Sequence, residues 1–146
     1  MTHLFPYDNT ITGLLVLIVG FAFHWIGQAL SIINWDLAIR LGLQESEAPP
    51  EYKVYEHGIA VADVAIGWVY AVAGIGLLFG APWAYRIAWI PGAILIYHAI
   101  SFWAWTGNQL RAGQRLPTGR TLYRFTWIAA NLLTGGLAIL LAWNAT

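Results

Sequence analysis

Apolar residues in this chain are gathered into four long runs, with the polar residues concentrated between them. A helix of about 20 apolar residues, rising 1.5 Å per residue, crosses a hydrocarbon core roughly 30 Å thick. The pattern therefore predicts spanning helices at Ile11–Ile33, Tyr55–Gly80, Trp83–Thr106 and Leu122–Trp143. We expect an all-α fold, an antiparallel four-helix membrane bundle that forms a single transmembrane domain over residues 1–146.

The segments between the runs differ in character. In the first, residues 35–43 place apolar side chains at helical spacing, which predicts a short interfacial helix after the first span. Pro49 and Pro50 then predict an acidic, proline-broken loop. Residues 80–83 suit only a tight turn, so the second and third spans form a hairpin. Residues 106–121 predict a basic loop.

The basic residues predict the orientation of the bundle. Four spans put both long loops on one side, and that side carries six of the seven lysines and arginines: Arg40, Lys53, Arg111, Arg115, Arg120 and Arg124. Only Arg86 falls on the other side. Because cytoplasmic loops are enriched in basic residues, we expect both termini to lie outside the cytoplasm, in an inner or cytoplasmic membrane.

Composition narrows the class of protein. Hydrophobic residues make up 59% of the chain and charged residues 10%, which indicates an integral membrane protein whose main partner is the lipid bilayer. The absence of cysteine excludes thiolate metal sites and thiol nucleophiles. A net charge of zero without a basic run argues against nucleic acid as a partner. The only lysine lies outside the predicted spans, which excludes a retinal Schiff base within them.

Each predicted span carries one polar residue at a similar depth. These residues are His24, Asp63, His98 and Asn131, each about eight or nine residues from the loop side of its span. A carboxylate such as Asp63 costs about 2.5 kcal/mol or more to insert at membrane depth, so it needs a partner or water. We therefore expect the four side chains to line a shared cavity, with His24 and Asp63 as the candidate catalytic pair.

Small residues predict which faces point inward, because membrane helices pack through them. Gly67 and Gly74 follow Asp63 at helical spacing, and Gly135 follows Asn131. His24 shares its face with small residues and with Gln28, whereas the face of His98 is bulky, which leaves a cavity or lipid as its surroundings. The tryptophans expected to line the cavity are Trp25, Trp68, Trp103 and Trp127.

Two further residues are candidates for the mouth of the cavity. Glu56 lies two turns before Asp63 on the same helical face, and His57 follows it. With Gln28 they complete the predicted binding set. The alternative is that Glu56 and His57 are hydrated interfacial residues at the loop edge.

Several chemistries suit this constellation. The cluster can have a structural role, in which Asp63 forms an interhelical ion pair or hydrogen bond with His24 or His98 and so stabilises the bundle. His24 and His98 can ligate one haem b iron from both sides, or join Asp63 as a two-histidine, one-carboxylate set for iron or zinc. The cavity can also bind a lipophilic small molecule such as a quinone or sterol, with acid–base chemistry or proton transport as the activity.

The middle of the chain resembles a known group. The residues that carry the resemblance are residues 55–57, Asp63, the glycines of residues 74–78, Trp83 at the start of the third span and residues 92–97. At these positions the chain resembles the small four-helix bacterial membrane proteins grouped as DoxX-like or uncharacterised. The resemblance covers the second and third spans. It implies the same architecture, and work linked to quinones or to a larger membrane complex.

The residues together favour a small membrane protein that binds a lipophilic cofactor or substrate in an intramembrane polar cavity. Four spans leave many faces available, so association with copies of itself or with a larger membrane complex is also expected.

Overall fold

The computed structural model describes residues 4–44, 50–113 and 118–145, with the side chains of residues 118–120 excepted. Within these ranges the chain forms four long helices and one short one. They are α1 at Asp8–Ile33, α2 at Trp35–Arg40, α3 at Pro50–Leu78, α4 at Pro82–Arg111 and α5 at Thr118–Asn144.

The predicted fold class is confirmed. The four long helices are each long and apolar enough to cross a membrane, and α2 is the short helix expected after the first span. Some helices extend beyond the predicted bounds. α3 begins at Pro50 where Tyr55 was predicted, and α4 continues to Arg111 where Thr106 was predicted. The parts of the predicted loops at residues 45–49 and 114–117 lie outside the described residues.

Three of the spans are not continuous α-helices, and one of them, α4, is interrupted at Ala88 between its segments Pro82–Ile87 and Trp89–Arg111. α1 is α-helical at Asp8–Leu15 and Gly27–Ile33 but π-helical at Val16–Ile26. α3 is interrupted at Gly67, between its segments Pro50–Ile66 and Trp68–Leu78. π-Helical winding is rare, occurs mostly as single turns within α-helices, and is frequent at functional sites.

The bundle consists of two tightly packed helix pairs, α1 with α3 and α4 with α5. Glycines bring the backbones together in the half that carries the termini. A Cβ placed on Gly13 would lie 2.9 Å from the Gly74 carbonyl oxygen, and one on Gly135 would lie 2.7 Å from the Gly92 carbonyl oxygen. Small residues of this kind allow membrane helices to approach without clashes.

The apolar core fills this termini-side half. One cluster contains Leu77, Tyr85 and Leu141, and a second, nearer the middle, contains Tyr70 and Leu95 with their neighbours. All five side chains are nearly inaccessible to solvent. The termini-side half is therefore closed by packed side chains.

The half nearer the connecting loops is less tightly packed. The backbone of the segment Pro50–Ile66 of α3 packs against the end of α1 and lies farther from α4 and α5. Side chains bridge to α4, with Asp63 beside His98 and the Tyr52 ring 5.1 Å from the Trp105 ring. The turn after α2 folds back toward α1 and α3, where the Gln44 amide donates to Ser31 Oγ at 3.0 Å and accepts from the Tyr52 hydroxyl at 3.0 Å. This loop-side half encloses a cavity.

Candidate functional site

The four depth-matched polar residues meet in two pairs. His98 Nε2 lies 3.3 Å from Asp63 Oδ1, and His24 Nε2 lies 2.7 Å from Asn131 Oδ1. The imidazole rings of His24 and His98 lie against each other, with centroids 4.3 Å apart and planes inclined by 32°. All four side chains are buried, so the four spanning helices each contribute one member to a single polar cluster.

Local structure positions each member of this cluster. His24 lies in the π-helical segment of α1, and its ring also packs against the Trp127 ring with centroids 4.7 Å apart. Asn131 is oriented because its side-chain amide donates to the Trp127 carbonyl at 2.9 Å. Its carbonyl oxygen is therefore the atom that faces His24.

Asp63 is held by the junction of α1 and α3. The Trp25 indole N–H donates to the Val64 carbonyl at 3.0 Å, and its ring covers Gly67, where a Cβ would lie only 2.6 Å from it. Because Gly67 leaves room for this ring, α1 approaches α3 directly beside Asp63. The closeness of the two helices directs Asp63 toward the bundle interior.

A cavity of about 800 Å³ extends from this cluster toward the connecting loops. His24 and His98 line it, whereas Asp63 and Asn131 are not part of its wall. All four spanning helices and the turn after α2 contribute to the wall. Its aromatic lining residues are Phe23, Tyr52, Tyr55, Phe102, Trp105, Tyr123 and Trp127. The volume falls within the range of about 300–1,000 Å³ that is usual for small-molecule sites.

Charged residues also line the cavity. The Gln28 side-chain amide donates to Glu56 Oε1 at 3.3 Å, and both residues belong to the wall. Arg124 lines the cavity too and is buried, although the sequence placed it just beyond the basic loop, among the basic residues of the loop side. His57 is exposed and lies outside the wall, so the structure does not bring it to the predicted binding site.

The lining tryptophans differ from those expected. Trp127 faces the cavity, but Trp68 and Trp103 are more than half exposed on the outer surface, and Trp25 is not part of the wall. Trp105 lines the cavity but was not among the predicted lining residues, although it belongs to the bulky face of His98 whose surroundings were left as a cavity or lipid. Its spacing of seven residues from His98, which returns it to the same helical face, is the signal that identifies it.

Three buried atoms near the cavity have no hydrogen-bond partner among the described residues. They are Asp63 Oδ2, Gln28 Oε1 and Trp105 Nε1. An unsatisfied buried polar atom costs about 1–3 kcal/mol, so such atoms indicate that water or a ligand completes the site. Gln28 and Trp105 belong to the cavity wall, where a bound molecule can reach them.

The geometry does not fit a haem between His24 and His98. Axial ligands lie on opposite sides of the macrocycle, and with metal–nitrogen bonds of about 2 Å their ring centroids would be about 6 Å apart. The observed separation is 4.3 Å, and both Nε2 atoms already contact Asn131 or Asp63. Within the described part of the chain, no group of three histidine or acidic residues is arranged to hold a metal, so the predicted iron or zinc set is not formed.

The chain matches no protein-family model, no curated protein and no solved structure. The resemblance of the second and third spans to DoxX-like proteins stays a prediction. The binding and catalytic roles given to His24, Gln28, Glu56, Asp63, His98 and Asn131 also stay predictions, although these residues do lie together.

Proposed function

We propose that this membrane protein binds a lipophilic small molecule in the loop-side cavity, with the polar head of the molecule against His24 and His98. One observation carries the proposal. A hydrogen-bonded cluster of four residues, one from each spanning helix, lies at the inner end of an aromatic cavity of about 800 Å³.

The surroundings of the cavity favour a molecule that arrives from the bilayer. Most of the wall is apolar or aromatic, and the backbone of the loop-side part of α3 is not packed against that of α4, which it reaches through side chains such as Tyr52 and Asp63. A hydrophobic ligand can therefore enter sideways between these helices from the lipid. Quinones, sterols and similar amphiphiles combine an apolar body with a small polar head, which suits a cavity that is polar mainly at its end and mouth.

A purely structural role explains the cluster less well. Interhelical hydrogen bonds in membranes contribute about 0.6 kcal/mol on average, whereas inserting a carboxylate costs about 2.5 kcal/mol or more. Transport across the membrane is also less favoured, because packed side chains close the termini-side half. Association with copies of this chain or with a larger complex stays a prediction.

Acid–base chemistry on the bound molecule is a second candidate activity. His98 lies in the cavity wall with Asp63 directly behind it, an arrangement in which a carboxylate orients an imidazole that exchanges protons with a ligand. The basic loops place this mouth of the cavity on the cytoplasmic side in our proposal.

Filling the cavity tests the proposal. The protein is purified in mild detergent and its organic extract is analysed by mass spectrometry, for the wild type, Ser101→Trp and Ile100→Trp. Ser101 lines the cavity, whereas its neighbour Ile100 is exposed on the outer surface and serves as the matched control. We expect a lipophilic compound at near-stoichiometric amount from the wild type and Ile100→Trp, and its loss from Ser101→Trp. Identical extracts from all three proteins would contradict the proposal.

A further inference from the structure

We infer that the cavity selects molecules whose polar head is a hydroxyl group, as in a phenol, a quinol or a lipophilic alcohol. The inference rests on the proposed binding function and adds the chemical class of the head. The preference for a hydroxyl group depends on the tautomers of His24 and His98, that is, on which ring nitrogen of each buried histidine carries a hydrogen.

The hydrogen on His24 is fixed by Asn131. The Asn131 amide nitrogen donates to the Trp127 carbonyl, so its Oδ1 is the atom that lies 2.7 Å from His24 Nε2. Because that oxygen can only accept, His24 Nε2 must carry the hydrogen. His24 is neutral, since none of the acidic side chains in the described ranges pairs with it and burying an unpaired cation is costly. Its Nδ1 is then a hydrogen-bond acceptor.

The hydrogen on His98 follows from its pairing with Asp63. A buried pair with a net charge is costly in a membrane, so the neutral arrangements are favoured. A proton on Asp63 Oδ2 would find no acceptor, because that buried atom has no hydrogen-bond partner among the described residues. Two arrangements remain: an Asp63 carboxylate that faces an imidazolium, or an Asp63 protonated at Oδ1 that donates to Nε2 of a neutral imidazole. In both arrangements His98 Nδ1 carries a hydrogen and is a donor.

Both rings line the cavity, with centroids 4.3 Å apart, and both Nε2 atoms are paired with Asn131 or Asp63. The two Nδ1 atoms, one acceptor and one donor, are therefore the ring nitrogens that remain for a bound molecule. A hydroxyl group can donate to the first and accept from the second. A ketone or ether oxygen can only accept, which leaves His24 Nδ1 without a partner. A hydrocarbon end leaves both nitrogens unsatisfied.

Paired probes test this inference in the full-length protein. Binding of 4-nonylphenol, its methyl ether and nonylbenzene is measured by quenching of tryptophan fluorescence, and the signal of Ser101→Trp is subtracted as partitioning into detergent. We expect 4-nonylphenol to bind about tenfold more tightly than either analogue, because each analogue leaves a buried nitrogen unpaired. 1-Dodecanol, tested in parallel, distinguishes aliphatic alcohols from phenols as the source of the hydroxyl.

The outcomes separate this inference from the proposed function. Equal binding of the phenol and both analogues would overturn the hydroxyl preference and leave the binding function standing. If no probe binds above the Ser101→Trp signal, the hydroxyl preference is overturned as well. The binding function itself is tested separately, by the mass spectrometry of compounds extracted with the purified protein.

A second measurement does not depend on any ligand. Nitrogen-15 NMR of histidine-labelled protein, with His24→Gln used to assign the His24 signals, reports which ring nitrogen carries the hydrogen. We expect hydrogen on His24 Nε2 in the wild type and a mixture of both forms in Asn131→Leu, together with a weaker preference for the phenol. Hydrogen on His24 Nδ1 in the wild type would overturn the inference.

Discussion

The two halves of this bundle are held together in different ways. In the termini-side half the backbones of Gly13 and Gly74, and of Gly92 and Gly135, approach so closely that an added Cβ would clash. In the loop-side half the helices are linked by side-chain contacts around a cavity, such as the hydrogen bond from Gln28 to Glu56 and the pairing of Asp63 with His98. One half is packed and the other is polar and hollow.

This difference shows how a small membrane bundle can keep a cavity without losing its fold. Packing contacts are sufficient to hold membrane helices together, because lipid competes weakly with a close backbone contact. The glycine contacts anchor both helix pairs at one end. The polar pairs at the other end are then free to serve a bound molecule, while the same residues still orient the helices.

The largest effect is expected from breaking the buried pair on one side only. His98→Leu leaves the Asp63 carboxyl group without its partner, and we expect the free energy of unfolding to fall by about 3 kcal/mol. The double variant Asp63→Leu/His98→Leu removes both polar groups and should restore most of that loss. Reversible unfolding in detergent micelles measures both. A double variant as unstable as the single one would show that the pair is not the cause.

A smaller effect is expected from the packed half. Gly135→Ala should lower the free energy of unfolding by about 1–3 kcal/mol, because its Cβ would lie 2.7 Å from the Gly92 carbonyl oxygen and separate α4 from α5. Gly136→Ala is the matched control, since nothing lies within 4 Å of its Cβ position. Equal unfolding curves for the two variants would refute the close contact between α4 and α5.

The smallest effect is expected at the mouth of the cavity. Tyr52→Phe removes the hydroxyl that donates to Gln44 and should cost about 0.6 kcal/mol, the average for such bonds in membrane proteins. Tyr55→Phe, at an exposed tyrosine three residues away on the same helix, should be neutral. Unfolding curves of the two variants that coincide would show that the hydrogen bond does not hold the turn after α2.

The fold followed from the sequence because its cause is local. A run of apolar residues predicts a spanning helix by itself, and the rise per residue then gives the depth of each polar side chain. This was enough to predict that His24, Asp63, His98 and Asn131 lie at one level, and the structure brings them together.

The residues of the cavity wall could not be predicted from the sequence, because they depend on the packing angles and distances between helices. Arg124 was counted only among the basic residues of the loop side, at the start of the fourth span, since its sequence neighbours do not reveal that it is buried in the cavity wall. The bulky face of His98 left its direction open, because whether that face meets lipid or a cavity depends on the distance to α3. The π-helical winding around His24 has no signal in the apolar pattern.

Cysteine accessibility tests the contrast between the two halves most directly, because the chain has no native cysteine. Ser101→Cys places a thiol in the cavity wall, and Ala138→Cys places one in the packed core of the other half. A small water-soluble thiosulfonate, which reacts with the thiolate, is added to the protein in membranes. The account predicts modification at Ser101→Cys, slowed by 4-nonylphenol, and none at Ala138→Cys. Equal modification at both positions, or modification at Ala138→Cys alone, would contradict it.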